Sequence, residues 1–399
     1  MSTPASPHPL EPWTPGTLDI HHISTGKGNA ALFLLPDGTT MLVDAGASDP
    51  TAPRHSGPRA TPPRPDGSRT PGEWIVRYIR HALAHDPAPV LDYALITHFH
   101  GDHMGTPFRR SRTSRSGAYR LAGITEVGEH IPIRRILDRG WPDYGYPAPI
   151  DNDTMRNYRA FLRWQIENRG TVVERFEPGR NDQIVLAREP DAYANFQVRN
   201  VAANGEVWTG VGTNTRAHFP PAEILRPEEL PQENACSLAL RLSYGKFDYF
   251  SGGDLPGVLE LGAPLWTDVE TPVAQALGPV EVSVLNHHGY RSSENEFFVS
   301  ALRPRVHVIP VWSSDHPGHA VLKRILSTKL YPGPRDVFAT DMIEANKIVI
   351  GPLMDQLKSD HGHVLVRVDP GGDTYRVLVL DDSAETYHVI ATHGPYRST

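Results

Sequence analysis

Residues 94–105 read ALITHFHGDHMG, and the architecture follows from this stretch. The run VLDYALIT (90–97) is mostly apolar and of strand length, the pattern of a strand in a sheet covered on both faces. It delivers the chain to His98, His100, Asp102 and His103, all within six residues. A strand end followed by a tight turn through Gly101 can point these four side chains into one cleft. Neutral imidazoles and carboxylates suit zinc, manganese or iron. Two such ligand groups placed close together make a two-metal site, which generates hydroxide from water near neutral pH and clamps a developing oxyanion.

Composition narrows the chemistry further. The chain has 399 residues with 20 histidines and one cysteine, Cys236. A lone cysteine excludes an intrachain disulfide framework and any zinc module built on two or more thiolates, so histidine and carboxylate must carry a metal. Cys236 itself reads as a small buried hydrophobe. The 34 glycines and 38 prolines predict a fold rich in turns. A net charge of -7 argues against non-specific coating of nucleic acid. No apolar run approaches the ~18 residues of a membrane span. The opening MSTPASPHPLEPWTPG has neither the charged nor the apolar region of a signal peptide, so a soluble cytoplasmic protein is expected.

Outward from the histidine loop, residues 1–16 read as a Pro-rich arm and 17–399 as a single α/β domain. LDIHHIS (18–24) and NAALFLL (29–35) are strands around the hairpin turn TGKG, and TTMLVDAG (39–46) is a third strand ending at Asp44. His21 and His22 lie on the first strand and read as packed or edge side chains. Residues 73–85 carry Trp74, Ile75, Tyr78, Ile79 and Ala82 at helical spacing. A second amphipathic helix, 152–169, places Met155, Tyr158, Phe161, Leu162 and Ile166 on one stripe, with Gly170 as its stop. The segments 171–177 and 196–203 read as a strand pair. CSLALRL (236–242) and FDYFSGGD (247–254) form a hairpin ending at Asp254, and VSVLNHHG (282–289) is a strand ending at His287 and His288. Further strands are expected near 306–312, 335–340, 363–369 and 375–381. This recurrence predicts a layered α/β sandwich.

THFHGDHMG resembles the signature loop of the metallo-β-lactamase superfamily. LVDAG, ENACSLALRL, FSGGDL, NHHGYRSS and DHPGH together resemble the C-terminal hydrolase domain of competence-type DNA-uptake channel proteins and related stand-alone nucleases and choline-phosphate esterases. The resemblance covers roughly 17–105 and 232–350; 106–231 is an enlarged middle insertion of loops and helices over or beside the cleft. It implies a four-layer αββα sandwich with a dinuclear site at one edge. The implied ligands are His98, His100, Asp102, His103, Asp254 as the bridging carboxylate, and His287, with His288 as the alternative. Asp102 and His288 are also candidates for direct catalytic roles, His288 by protonating the leaving group. Asp44 is implied to support the histidine loop from behind. Many members supply a further histidine to the first metal; here that place falls to Asn234, His130 or His218. The implied cofactors are two divalent ions, zinc foremost, with manganese or iron as alternatives.

Other residues could touch substrate. Arg109, Arg110, Arg112, Arg115 and Arg120 follow the histidine loop and could hold a phosphate, or form an exposed basic loop. Ser293 with Glu296 reads as a capping box that aims a helix N-terminus at His287 and His288. His316 and His319 in DHPGH border the expected site. The pairs His361/His363 and His388/His393 have no identifiable ligand partners. The resulting expectation is a metal-dependent hydrolase of phosphodiesters or phosphomonoesters, acting on a small molecule or an oligonucleotide. Lactone, β-lactam or thioester hydrolysis by the same centre, and a non-catalytic metal-binding regulatory module, are the alternatives.

Overall fold

The computed structural model describes residues 6–52 and 57–399. Part of the N-terminal arm, residues 1–5, lies outside the described residues. From His8 the arm is tied down: His8 and Val389 exchange backbone hydrogen bonds of 3.3 and 2.8 Å, and the Trp13 indole donates to the Thr17 carbonyl at 2.7 Å.

Two nine-stranded sheets form the body of the molecule. The chain enters the first sheet with β1 (Leu18–His22), β2 (Ala31–Leu34), β3 (Thr40–Val43), β4 (Leu91–Ile96), β5 (Ile133–Asp138) and β6 (Val172–Arg175). It then builds the second with β7 (Phe196–Ala203), β8 (Glu206–Trp208), β9 (Thr215–Ala217), β10 (Ala239–Tyr244), β11 (Phe247–Ser251), β12 (Val282–Val284), β13 (Val306–Ile309), β14 (Asp336–Ala339) and β15 (Leu357–Ser359). It returns to the first with β16 (His363–Val368), β17 (Thr374–Leu380) and β18 (Val389–Arg397). The spatial orders are β18-β17-β16-β1-β2-β3-β4-β5-β6 and β15-β14-β13-β12-β11-β10-β7-β8-β9. Each sheet is antiparallel on one side and parallel on the other, the change falling at β3 and at β11.

The inner faces meet in one apolar layer that includes Ile20, Phe33, Leu95, Leu240, Tyr249, Val306 and Val366. Phe33 and Tyr249 touch across it edge to face, with centroids 5.6 Å apart. Truncating such a side chain to alanine costs about 3–5 kcal/mol for an aromatic and about 2–5 kcal/mol for a leucine. The outer face of the first sheet is covered by α1 (Pro71–Ala82), α3 (Ile124–His130) and α4 (Asp153–Arg169). The short α2 (Gly101–Met104) is part of the histidine loop. The outer face of the second sheet is covered by α5 (Glu270–Leu277), α6 (Glu296–Leu302), α7 (His319–Ile325) and α8 (Glu344–Ile350). The result is the four-layer αββα order that the resemblance implies.

The helices start and stop where the side chains direct. Thr70 and Glu73 form a reciprocal capping box on α1, and Asn152 caps α4, which ends on Gly170 at φ 68°. On α4, Met155, Tyr158, Phe161 and Leu162 are buried, but Ile166 is left at the surface. Two further expectations are corrected. The segments around β6 and β7 do not pair; they lie in different sheets, because the connection between them crosses the sandwich. Ser293 is not a helix cap: its hydroxyl donates to the Tyr290 carbonyl, and Asn295 caps α6 instead through the Phe298 amide. Residues 106–231 supply β5 to β9 together with α3 and α4, so the middle stretch is woven into both sheets. Among the described residues, no helix is long and apolar enough to cross a membrane.

Candidate metal centre

The carboxyl ends of β3, β4, β11, β12 and β13 open at one edge, the place where open α/β sheets expose side chains to a ligand. Asp44 follows β3, the histidine loop follows β4, Asp254 follows β11, His287 and His288 follow β12, and His316 lies beyond β13. The sheets are joined at this edge by the Leu238 amide, which donates to the Thr97 carbonyl at 2.9 Å.

Local backbone chemistry sets the loops. Asn29 donates its amide to the Asp102 carbonyl at 2.7 Å. A Cβ built on Gly46 would stand 2.0 Å from that carbonyl oxygen, and one on Gly28 2.4 Å from it. Only glycines therefore let the β1–β2 and β3 turns back the histidine loop so closely. On the opposite wall His287 and His288 both occupy the left-handed region, at φ 48° and 55°. Such backbone costs about 1–3 kcal/mol per residue and persists only where the surroundings over-determine it. Here the His287 amide donates to Gly253 O at 3.0 Å and the Tyr290 amide to His287 O at 2.7 Å. Beneath them the Asn286 backbone amide donates to Glu294 at 2.9 Å, and its side-chain amide to Glu270 at 2.8 Å. Burial, with each carboxyl facing the other, pushes Glu294 well up; burial raises Glu270 to about 7.

Two donor groups share Asp254. The first joins His98, His100 and Asp254: His98 Nε2 lies 3.0 Å from His100 Nδ1 and 3.7 Å from Asp254 Oδ2. The second joins Asp102, His103, His288 and Asp254. In it His103 Nε2 is 3.1 Å from both His288 Nε2 and Asp254 Oδ1, and His288 Nε2 is 3.2 Å from Asp102 Oδ2. The rings are aimed from behind. His103 Nδ1–H donates to Asp44 Oδ2 at 2.8 Å, and His288 Nδ1–H donates to the Pro310 carbonyl at 2.8 Å. Each therefore turns its Nε2 lone pair toward the centre. Asp44 also accepts from Thr97 N and Oγ1, both at 2.8 Å, and from Asn29 Nδ2 at 3.0 Å.

These donors fit divalent metal. Asp254 Oδ1 is buried without a hydrogen bond, and two imidazole nitrogens face each other at contact distance. Burial alone would push His103 down, yet Asp254, Asp102 and Asp44 hold it well above the ordinary imidazole range. Burial and the neighbouring His103 drive His98 well below it. Burial opposes ionisation of Asp254, but His103 and His288 hold it well below the usual carboxylate range. The cluster thus attracts positive charge, which a divalent cation held by these donors would supply.

The remaining expected residues separate. Asn234 and His287 stand on the cleft wall beside the first group: Asn234 Nδ2 is 3.2 Å from His287 Nε2, which is 3.6 Å from Asp254 Oδ2. Of the two adjacent histidines, His288 rather than the expected His287 stands within the cluster, and His287 stands at its rim. Asn234 Oδ1 is buried without a partner, whereas His130 ends α3 and His218 is engaged with the Asp268 carbonyl at 2.8 Å. His316 lines the cleft, stacked on His288 with centroids 4.8 Å apart. Burial and the His288 ring lower it to about 3. His319 is exposed at the start of α7 and does not line the cleft. Ser293 is buried beneath Tyr290 rather than in the cleft. Arg109 and Arg110 are exposed outside the cleft, and Arg112 is paired with Glu73 and Glu126.

Several contributors are not singled out as site residues by the sequence. The cleft, of about 350 Å³, is also walled by Tyr290, Trp312, Ser313 and Asp315. Behind it, Glu233 accepts from the Phe99 amide at 2.7 Å and from Arg139 Nε at 2.8 Å. The Arg139 guanidinium lies over the Phe99 ring, 4.6 Å from its centroid. Only the pairing of distant segments reveals this support for the histidine loop.

No protein family and no curated protein matches the chain. Solved structures with a similar course include a mutant of the CmlA beta-hydroxylase, at 13% identity and a TM-score of 0.40 over 90% of this chain; the chain spans 55% of that protein's length. Another, named "Putative metal-dependent hydrolase", from Parabacteroides distasonis, has 13% identity and a TM-score of 0.32 over 86% of this chain and 88% of its own. A protein of unknown function from Enterococcus faecalis has 7% identity and a TM-score of 0.30, covering 86% of this chain and 73% of that one. The reading of the centre therefore rests on its own geometry: an αββα sandwich with two His/Asp donor groups sharing one carboxylate at the strand ends.

Proposed function

We propose that this chain is a metal-dependent hydrolase of the metallo-β-lactamase fold that cleaves a carboxylic ester-type bond: an ester, lactone or thioester. The observation that carries the reading is the pair of donor groups meeting at Asp254, set in a cleft whose lining, among the described residues, holds no lysine or arginine. His98, His100 and Asp254 would hold one cation, with Asn234 and His287 beside it. Asp102, His103, His288 and Asp254 would hold the other. Mixed imidazole and carboxylate donors suit zinc first, then manganese or iron. Divalent cations at such a site lower the pKa of water and polarise the reacting oxygen.

The chain's own groups do the rest. Asp44 and the Pro310 carbonyl fix the tautomers of His103 and His288. Asp102 is more open to the cleft than Asp254, at 13% against 2% exposure, and can accept a proton from the attacking water. The water oxygen joins the carbonyl carbon, the bond to the leaving oxygen or sulfur breaks, and one water proton goes to the leaving group. The other is released with the new carboxylate. Tyr290 and Trp312 offer apolar faces to the acyl or leaving portion.

A phosphodiester is the second reading, favoured by the shared carboxylate, since paired cations can clamp an in-line displacement at phosphorus. A phosphomonoester dianion or an oligonucleotide would normally draw on cationic side chains, and Arg109 and Arg110 lie outside the cleft. The test is metal stoichiometry followed by a panel of esters, lactones, thioesters and phosphodiester dyes with zinc- or manganese-loaded protein. Turnover of a carbonyl substrate that is lost in Asp254→Ala is expected. Cleavage of phosphodiesters alone would select the second reading, and a metal-loaded protein inert on the whole panel would refute both.

A further inference from the structure

Glu270 opens α5 and is wholly buried, yet it touches three segments around the metal centre. Its Oε1 accepts from Asn286 Nδ2 at 2.8 Å and from the Glu294 amide at 2.6 Å, and its Oε2 accepts from the Asn295 amide at 2.7 Å. Asn286 immediately precedes His287 and His288, and its own amide donates to Glu294 Oε1 at 2.9 Å. The Glu270 amide donates to the Pro256 carbonyl at 3.2 Å, two residues beyond Asp254. The loop that carries Asp254 is shaped around this tie. A Cβ on Gly252 would stand 2.4 Å from Asn286 Oδ1, and one on Gly257 only 1.8 Å from Glu270 Oε2. Glycine on either side of Asp254 thus lets the loop press against Asn286 and Glu270.

A buried carboxylate without a cation is costly. Arg324, the cation that acts on Glu294, spends its Nε and Nη2 on the Glu294 and Ser293 carbonyls. An apolar side chain would join α5 to α6 without that cost. What the carboxylate adds is direction: it holds three N–H groups at the base of a turn with two successive left-handed residues, His287 at φ 48° and His288 at φ 55°. Such a turn persists only where its surroundings over-determine it. On the Asp254 side, the Gly253 carbonyl accepts from the His287 amide at 3.0 Å, so the two loops are tied above Glu270 as well as beneath. We propose that Glu270 is a positioning residue of the metal centre: through Asn286 and the 252–257 loop it fixes where His288 and Asp254 stand relative to each other. It acts only through the backbone that presents these donors. The role rests on the metal-centre part of the reading above and is independent of which bond is cleaved.

The test is zinc affinity, by competition with a chromophoric chelator, together with the visible spectrum of the cobalt(II)-loaded full-length chain. In Glu270→Gln the amide has one oxygen where the carboxylate had two, so at least one of the three N–H donors faces an NH2. Loss of a supporting contact lowers metal affinity about 10–100-fold; about tenfold is expected here, one step further from the donors, with altered cobalt bands. Gly257→Ala drives a methyl group onto Oε2 and should act in the same direction. Glu281→Gln is the control for mere destabilisation. Glu281 is buried at the opposite end of β12, just before Val282, and accepts from the Asp248 and Thr399 amides at 2.8 and 2.9 Å. Its replacement should lower the melting temperature of the metal-free chain and leave zinc affinity and the cobalt spectrum unchanged. A folded Glu270→Gln protein with zinc affinity within about twofold of the parent and the parental cobalt spectrum would overturn the role. So would equal losses of affinity in Glu270→Gln and Glu281→Gln, which make the effect one of stability. If Glu270→Gln does not fold, Gly257→Ala decides by the same two readings. A parent chain that binds no zinc removes the metal centre and this role together, whereas a zinc-binding parent inert on every ester, lactone and thioester refutes only the ester reading.

Discussion

Replacing Asp44 by asparagine keeps the shape of the side chain and changes only what it can accept. The backbone there has φ 62°, a region asparagine tolerates better than most residues, so the turn itself should survive. The carboxylate accepts from His103 Nδ1, Thr97 Oγ1, Thr97 N and Asn29 Nδ2 at 2.8, 2.8, 2.8 and 3.0 Å. An amide that keeps its oxygen on the Thr97 amide turns its NH2 toward the His103 ring. To accept from it, the ring must move its own proton from Nδ1 to Nε2, and Nε2 is the atom 3.1 Å from Asp254 Oδ1 and 3.1 Å from His288 Nε2. The lone pair that would bind a cation is then lost from the cluster. Loss of such a supporting group lowers metal affinity about 10–100-fold, or about 1.4–2.8 kcal/mol. Competition with a chromophoric chelator for zinc reads this directly, and thermal unfolding of the metal-stripped proteins separates it from general destabilisation. Zinc affinity within about twofold of the parent, in a folded D44N protein, would refute the argument: either His103 is no ligand or its tautomer is not set by Asp44.

Other expectations follow from the same geometry. Arg139→Ala removes a buried guanidinium and leaves the half-buried Glu233 with only the Phe99 amide, and should destabilise the protein by about 2–3 kcal/mol in urea unfolding. If the ion pair is the cause, adding Glu233→Gln should recover part of that loss. His22 is fully buried with neither ring nitrogen hydrogen-bonded, and burial, reinforced by His21, lowers it to about 3. The unfolded chain therefore takes up this proton first as pH falls through about 6.5, and stability drops by about 1.4 kcal/mol per pH unit until about pH 3. His22→Leu should consequently be about 2 kcal/mol more favourable, relative to the parent, at pH 5 than at pH 7; an identical difference at both pH values would show that His22 does not titrate this way. Gly46→Ala places a methyl group on the Asp102 carbonyl and should cost about 1–3 kcal/mol and weaken metal binding, measured by unfolding and metal content. Arg109→Ala with Arg110→Ala should leave kcat/KM for the best panel substrate unchanged, and a large fall would return these arginines to the site.

Much of the architecture is local and therefore legible. The expected strands at 18–24, 29–35, 39–46, 90–97 and 236–254 correspond to β1 to β4, β10 and β11 because their apolar runs are bounded by turn residues. Both amphipathic helices form with the caps their sequences carry. Unanticipated strands are those whose pattern is weak. β5 alternates buried residues with Arg134 and Arg135, and β18 carries the Gly394-Pro395 pair, which reads as a breaker. Pairing is not local at all, which is why β6 and β7 looked like neighbours yet lie in opposite sheets.

The same division runs through the centre. His98, His100, Asp102 and His103 are legible because one loop carries them at a spacing that only a shared cleft makes useful. The sequence by itself determined which donor types the chain offers: histidine and carboxylate, with a single cysteine. The tertiary structure decided which members of that set meet. It placed His288 in the cluster and His287 at the rim, because two successive left-handed residues turn adjacent rings to different sides. It left Arg109 and Arg110 in solvent, since no strand end directs them inward. It brought Glu233 to the Phe99 amide. Spacing along a chain can specify a side chain's direction from its own strand; what stands opposite is set only when two sheets close on one another.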